Sequence, residues 1–238
     1  MIAFPAPASL PRGQRVYAIG DVHGCLDELR ALHRAVAQDI AARPIASSTL
    51  IHLGDYVDRG PDSAGVVRLL LEGPMPAGIG TVVNLTGNHE EMMLTALDER
   101  SPATVRHWLM NGGEATLDSY GLREADDPRH WADRLPAGQL AFLRGLALTH
   151  RAGGYVFVHA GIRPEIPLCA QVRDDLLWIR EPFLSSTASF EAVVVHGHTP
   201  VPFPELRRNR IGIDTGAVMG GMLTCAVLER NKVGFLTA

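Results

Sequence analysis

Short apolar, β-branched runs punctuate the chain at Arg15 to Ile19, Thr49 to Leu53, Thr81 to Leu85, Tyr155 to Val158 and Ala192 to Val195. Each predicts a buried strand, because such runs fit a pleated sheet covered on both faces. Ile211 to Ile213, Met222 to Leu228 and Val233 to Leu236 follow, and predict a closing antiparallel meander. Helical spacing lies between the early runs. Leu26, Leu29, Leu32, Val36 and Ile40 recur every three or four residues, so one face of that helix must pack on the sheet. Asp62 and Ser63 are candidate caps for a second helix carrying Val66, Val67, Leu70 and Leu71. Ser101-Pro102 offers an N-cap and a first-turn proline, and the segment runs on to a glycine stop at Asn111-Gly112-Gly113.

Strand–helix–strand alternation predicts an α/β fold with parallel pairing in its first half. Residues 99–150 read as mainly helical with no strand-like run, a cap on the sheet edge within one domain spanning 1–238. Residues 1–13 are expected to form an extended arm. At 238 residues, 46% hydrophobic and 20% charged, the chain can bury a full core, and disorder is excluded.

A net charge of -4 leaves no broad basic surface, so nucleic acid is not an expected partner. The one dense basic run, Arg207, Arg208 and Arg210, follows Pro202 and Pro204 and reads as a solvated turn. Cys25, Cys169 and Cys225 are odd in number and show no paired spacing, which argues against a disulfide framework or a thiolate zinc site. The opening Met1 to Pro11 lacks a basic stretch and is broken by Pro5, Pro7 and Pro11, so no signal peptide is expected. No apolar run approaches the ~20 residues of a membrane helix. The expected location is cytoplasmic, with no membrane partner.

Polar residues able to bind metal follow the predicted strands directly. They occur in Gly20-Asp21-Val22-His23-Gly24, in Gly54-Asp55-Tyr56-Val57-Asp58-Arg59-Gly60, in Gly87-Asn88-His89-Glu90, at His159, and in His196-Gly197-His198. The carboxyl ends of strands form the ligand crevice of open α/β sheets, so placement agrees with residue type. Gly20, Gly54 and Gly87 each precede a candidate ligand, where the chain must turn sharply and let backbone approach. Asp, His and Asn without thiolate suit Mn²⁺, Fe or Zn²⁺. Asp55 is the candidate bridge, since one carboxylate can hold two ions about 3.5–4 Å apart. Asp21, His23 and His198 are expected to complete one ion, and Asn88, His159 and His196 the other. A lone histidine after an apolar strand is more often a satisfied core residue. That reading is kept for His52, and a surface reading for His33, His107, His130 and His150.

Two neighbouring divalent ions lower the pKa of a shared water towards ~7, which supplies a nucleophile for attack on phosphorus. His89 lies outside the ligand set and is the candidate general acid, with Asp58 holding its imidazole charged and oriented. Arg59 offers a guanidinium fork for phosphate oxygens, and Arg180 is a second candidate for that role.

These five motifs, in this order, resemble the calcineurin-like metallophosphoesterases, and within them the serine/threonine phosphoprotein phosphatases of the lambda-phage and bacterial type. Further segments carry the resemblance: Gly87 to Met93, His107 to Gly113, Trp178-Ile179-Arg180-Glu181, Gly197-His198-Thr199-Pro200 and Ile213 to Val218. It implies a four-layer sandwich of two mixed β-sheets flanked by helices, two divalent ions, typically Mn²⁺, and Arg180 as a phosphate ligand. A phosphorylated protein or peptide is then the implied substrate. His159-Ala160-Gly161-Ile162-Arg163-Pro164 is more similar to cellular protein phosphatases and diadenosine tetraphosphatases, and Arg163 becomes a further candidate phosphate contact. The Gly-Asp-Val-His-Gly-Cys opening is shared with the dinucleoside polyphosphate hydrolases, the alternative activity. A non-catalytic, metal-binding relative is disfavoured because no ligand or acid is missing.

Overall fold

The computed structural model describes residues 2–238. In chain order the first sheet and its helices comprise β1 (Ala3–Pro5), β2 (Gln14–Ile19), α1 (Leu26–Ala42), β3 (Ser47–His52), α2 (Ser63–Glu72), β4 (Thr81–Asn84) and α3 (Asn88–Glu99). A helical stretch follows, with α4 (Pro102–Trp108), α5 (Glu114–Ser119), α6 (Trp131–Arg134) and α7 (Ala137–Arg144). The second sheet and the return comprise β5 (Thr149–Ala152), β6 (Tyr155–Val158), α8 (Arg173–Trp178), β7 (Val193–His196), β8 (Glu205–Leu206), β9 (Arg210–Gly212), β10 (Thr224–Glu229) and β11 (Lys232–Thr237).

Six strands form one sheet in the order β1-β11-β10-β2-β3-β4, and five the other in the order β5-β6-β7-β9-β8. Both are mixed: β2, β3 and β4 run parallel, as do β6, β7 and β9, with antiparallel strands outside them. The period-2 pattern of each strand decides which layer receives which residue. Val16 and Ala18 of β2 face an inter-sheet core with Tyr155 and Phe157 of β6, Val195 of β7 and Leu228 of β10. Tyr17 and Ile19 face the opposite way, onto Leu29, Leu32 and Val36 of α1. On the far side Val156, Val158 and Val194 pack with Leu176 and Phe183. Three cores separate four layers, helix, sheet, sheet, helix.

The expected antiparallel meander is corrected. Only β10 and β11 pair as a hairpin, while β9 joins β7 in parallel in the other sheet. Ile211 and Ile213 point into the inter-sheet core and not beside β10, and an apolar run cannot say which of two facing sheets it belongs to. The cap region also ends differently, since β5 begins at Thr149 and His150 sits within it. In the arm, Ala3–Pro5 forms an edge strand on β11. Met1 lies outside the described residues. Arg210 is no solvated turn residue: it is buried, paired with Glu205 and stacked over Phe183. Among the described residues no helix is long and apolar enough to cross a membrane.

The expected caps are present. The Asp62 carboxylate accepts from Gly65 N at 2.7 Å, and the Ser101 hydroxyl from Thr104 N at 3.2 Å. Past α4 the helix does not stop but bulges at Leu109–Gly113, where Gly112 takes φ 100°, and continues as α5.

Candidate metal centre and its acid

The parallel strands of both sheets deliver their following loops to one edge, and there the candidate residues meet. Tight reversals are needed. His23, Asp55, Asp58, Arg59 and His198 all adopt left-handed backbone, with φ between 43° and 71°. Such residues cost on the order of 1–3 kcal/mol each, and persist only where the surroundings over-determine them. Two glycines let the loops interlock: a Cβ on Gly54 would lie 2.5 Å from Gly87 N, and one on Gly87 would lie 2.1 Å from Asp55 Oδ1.

What holds these loops is Glu90, which the motif reading did not assign. Its buried carboxylate accepts from the N–H groups of Asp55 (2.9 Å), Tyr56 (2.7 Å), Val57 (3.2 Å) and Gly87 (2.8 Å). One side chain thus satisfies four donors from two strand-end loops and fixes Asp55 relative to α3.

Asp55 is central. Its Oδ2 lies 3.4 Å from His23 Nε2, and its Oδ1 lies 3.4 Å from His159 Nε2. Asp55, His159 and His198 form one group able to hold a cation, and His23, Asp55 and His89 another. Asn88 belongs with the first, its Oδ1 being 2.8 Å from His159 Nε2 and 2.9 Å from His198 Nδ1. The His159 tautomer is decisive. Its Nδ1 faces the Leu53 carbonyl at 3.0 Å and must be the N–H donor, because a carbonyl cannot donate. Burial lowers its pKa, so at neutral pH Nε2 carries a lone pair aimed at the Asn88 oxygen. Two acceptors facing each other at 2.8 Å repel unless a cation lies against both, so the donor set fits a metal ion.

His23 follows the same logic: Nδ1 donates to the Val57 carbonyl at 2.8 Å, which frees Nε2 towards Asp55. Burial brings His23 down to about 4 and His198 to about 3, so both rings are neutral ligands at physiological pH. On the His23 side the charge is anionic. Asp21 accepts from His198 N at 2.9 Å, and its carboxyl is pushed well up by burial and then by Asp214 and Asp55. Asp214, which the sequence offered only as part of a family-like segment, is brought up to about 6 by burial, with Asp55 adding to the rise. Crowded carboxylates of this kind are relieved by a bound cation.

The expected division of ligands is corrected at two positions. His198 joins Asn88 and His159, not Asp21 and His23. The structure brings His196 to neither group. Its ring meets the edge of Phe183 at 5.0 Å, a Cβ on Gly212 would lie 3.3 Å from its Nε2, and its Nδ1 faces the Gly197 carbonyl. The strand ends at His196, and the left-handed turn at His198, with φ 63°, swings that ring into the crevice.

His89 and Asp58 do meet, at 2.7 Å between Nδ1 and Oδ2. Two further residues complete the dyad. Trp108 Nε1 donates to Asp58 Oδ1 at 2.9 Å, and the Thr116 hydroxyl donates to the same oxygen at 2.7 Å. Burial raises the Asp58 carboxyl, yet these donors favour its anion, and the proton resides on His89. Against its own burial, His89 is held above the ordinary imidazole pKa by Asp55 and Asp58. Trp108 lies in one of the segments that carry the family resemblance, but nothing in a linear pattern shows where an indole N–H points.

Arg59 flanks the His23 side, its Nη1 3.1 Å from His23 Nε2, and its backbone N–H donates to the Gly112 carbonyl at 3.0 Å. Arg180 flanks the other side, where its charge helps to lower His159 and His198 after burial. Arg163 is not free for phosphate, since its guanidinium forks onto Asp175 at 2.8 and 2.5 Å. His52 is a core residue bonded to Asn84, and His33 is no bland surface group but lies 3.0 Å from His52 Nε2.

Comparison with known proteins agrees with this geometry. Residues 14–236 match the family model described as calcineurin-like phosphoesterase. The chain is 33% identical over 223 residues to serine/threonine-protein phosphatase 1 of Salmonella typhimurium, covering 91% of this chain and 93% of that protein. It is 30% identical over 227 residues to the asymmetrical bis(5'-nucleosyl)-tetraphosphatase PrpE of Bacillus subtilis, covering 87% of each. Among solved structures, one carrying a provisional diadenosine tetraphosphatase name superposes with a TM-score of 0.68 at 25% identity, covering 99% of both chains. A cold-active protein tyrosine phosphatase shares the fold, with a TM-score of 0.65 at 19% identity over 96% of this chain and 81% of that one. The chain belongs to the calcineurin-like phosphoesterase family, as a metal-dependent hydrolase of phosphate esters.

Proposed function

We propose that this metallophosphoesterase is a phosphomonoesterase acting on phosphoserine and phosphothreonine in proteins. The observation that carries this reading is the charge inventory of the crevice. Among the described residues Arg59 and Arg180 have no carboxylate partner, whereas the neighbouring Arg163 and Arg173 are tied to Asp175 and Glu91. Two guanidiniums and two divalent ions suit a phosphomonoester dianion, while a tetraphosphate chain carries more charge and asks for more free cations.

In this reading Asn88, His159 and His198 would hold one ion and Asp21 and His23 the other, with the Asp55 carboxylate available to both. Mn²⁺ is the first choice by donor type, with Fe and Zn²⁺ also compatible. When bound, the pair supplies an activated water and offsets charge on the phosphoryl oxygens. Arg59 and Arg180 orient the ester by forking onto those oxygens. As the bond between phosphorus and the leaving oxygen breaks, His89 gives its Nε2 proton to that oxygen, while Asp58 keeps the Nδ1–H fixed.

A second reading, asymmetric or symmetric hydrolysis of dinucleoside tetraphosphates, is supported by the Bacillus subtilis relative and by a 36%-identical relative in Methylococcus capsulatus named for the symmetrical activity. The two separate on kcat/KM for a phosphothreonine peptide, p-nitrophenyl phosphate and diadenosine tetraphosphate, using Mn²⁺-loaded protein. The expected outcome is preference for the peptide. A dinucleotide preference of tenfold or more, on the order of 1.4 kcal/mol, overturns it. A phosphotyrosine peptide in the same assay sets the breadth of side-chain preference.

A further inference from the structure

Arg180 stands just past the end of α8, a six-residue helix far too short to hold its own position. Two anchors fix it. On one side Asp175 is forked by Arg163, from the loop that follows the ligand His159, and Ala160 N donates to the Leu176 carbonyl at 2.9 Å. On the other side lies Glu91, in the first turn of α3 beside His89 and Glu90. Its Oε2 accepts from Trp178 Nε1 at 2.9 Å, and its Oε1 accepts from Arg173 Nε at 2.7 Å. One carboxylate therefore grips both ends of α8 and ties it to the helix that presents Asn88 and His89. The Trp178 ring, so held, meets His198 edge-on with centroids 6.3 Å apart, and the chain leaves this contact two residues before Arg180.

We infer that Glu91 is a positioning residue for phosphate binding, setting Arg180 over the metal centre through the Trp178 indole. This rests on the reading of Arg180 as a phosphate ligand. The Glu91 carboxylate bonds Trp178 and Arg173, and its effect passes along Trp178 to Arg180. The Arg163–Asp175 pair keeps the other side of α8 in place, so loss of Glu91 loosens the helix without unfolding it.

The test is a double-mutant cycle on the Mn²⁺-loaded protein with p-nitrophenyl phosphate, reading KM, kcat and the inhibition constant of inorganic phosphate. Glu91→Ala should raise KM and the phosphate inhibition constant by roughly three- to tenfold with little change in kcat, and should add little once Arg180→Ala is present. Glu91→Gln, which keeps an acceptor for the indole N–H, should recover most of the affinity. A normal KM in Glu91→Ala overturns the inference, as does a full, additive effect in the Arg180→Ala background. An Arg180→Ala enzyme with normal KM instead overturns the phosphate role of Arg180 itself. Should Glu91→Ala fail to fold, Trp178→Phe removes the same hydrogen bond and must show the same KM effect.

Discussion

At the scale of single residues, the proposed proton delivery requires a buried imidazole to stay charged. His89 achieves this because Asp58, itself fixed by Trp108 and Thr116, accepts its Nδ1–H. Replacing His89 by Asn should leave two equivalents of metal bound but lower kcat by roughly 10²–10⁴, the worth of a positioned general acid. Elemental analysis beside steady-state kinetics checks both halves, and wild-type kcat in this variant would refute the acid role. His89 and Asp58 could be paired from the sequence because their motifs carried no other use for them. Glu90 could not, since a carboxylate beside two candidate site residues gives no hint that it will hold its own helix cap and three backbone N–H groups of the Asp55 loop.

Among elements, the bulge at Leu109–Gly113 does most to shape the phosphate side. A glycine pair there reads as a helix stop, and the structure instead uses Gly112 to bring backbone against Arg59. A Cβ at Gly112 would sit 2.7 Å from Arg59 Cγ, at a φ of 100° that side chains rarely adopt. Gly112→Ala should therefore displace Arg59, raise KM for p-nitrophenyl phosphate with metal content unchanged, and destabilise the fold by about 1–3 kcal/mol. Urea unfolding at constant m-value measures the second effect, and unchanged KM would show that Arg59 is positioned by something else. Strand existence was legible because β-branched runs have few other uses. The partner of β9 was not, because its apolar residues would suit either sheet.

Across the whole molecule, stability and metal binding are linked. Asp21, Asp55 and Asp214 are buried together, and burial, with their mutual repulsion added, raises Asp21 and Asp214. Chelation should lower Tm and re-addition of Mn²⁺ restore it, since an ion at 100 times its Kd adds about 2.7 kcal/mol to the native state. An unchanged Tm in excess chelator would argue that no ion is held. A separate pH response is expected between α1 and β3. His33 and His52 link α1 to β3, and burial brings them down to about 4 and about 3. Their unfolded pKa is near ~6.5, so the unfolded chain takes up protons first. Stability from this pair is complete above that pH and is lost as pH falls towards about 4. His33→Gln keeps an amide donor for His52 but removes one titrating group. Its Tm should fall less steeply than wild type between pH 6.5 and 4, and parallel slopes would exclude the pair as the cause.

The sequence by itself determined the buried strands of the first half and their helices, the α/β class, the loops that bear the site and the His89–Asp58 pair, because hydrophobic period and motif spacing are local properties of the chain. Only the tertiary structure decided which sheet each late strand joined, that His198 and not His196 turns towards Asn88 and His159, and that Arg163 is bound to Asp175 while Arg59 and Arg180, among the described residues, have no carboxylate partner. Those outcomes depend on left-handed turns and on hydrogen bonds between loops distant in sequence, and neither leaves a periodic trace along the chain.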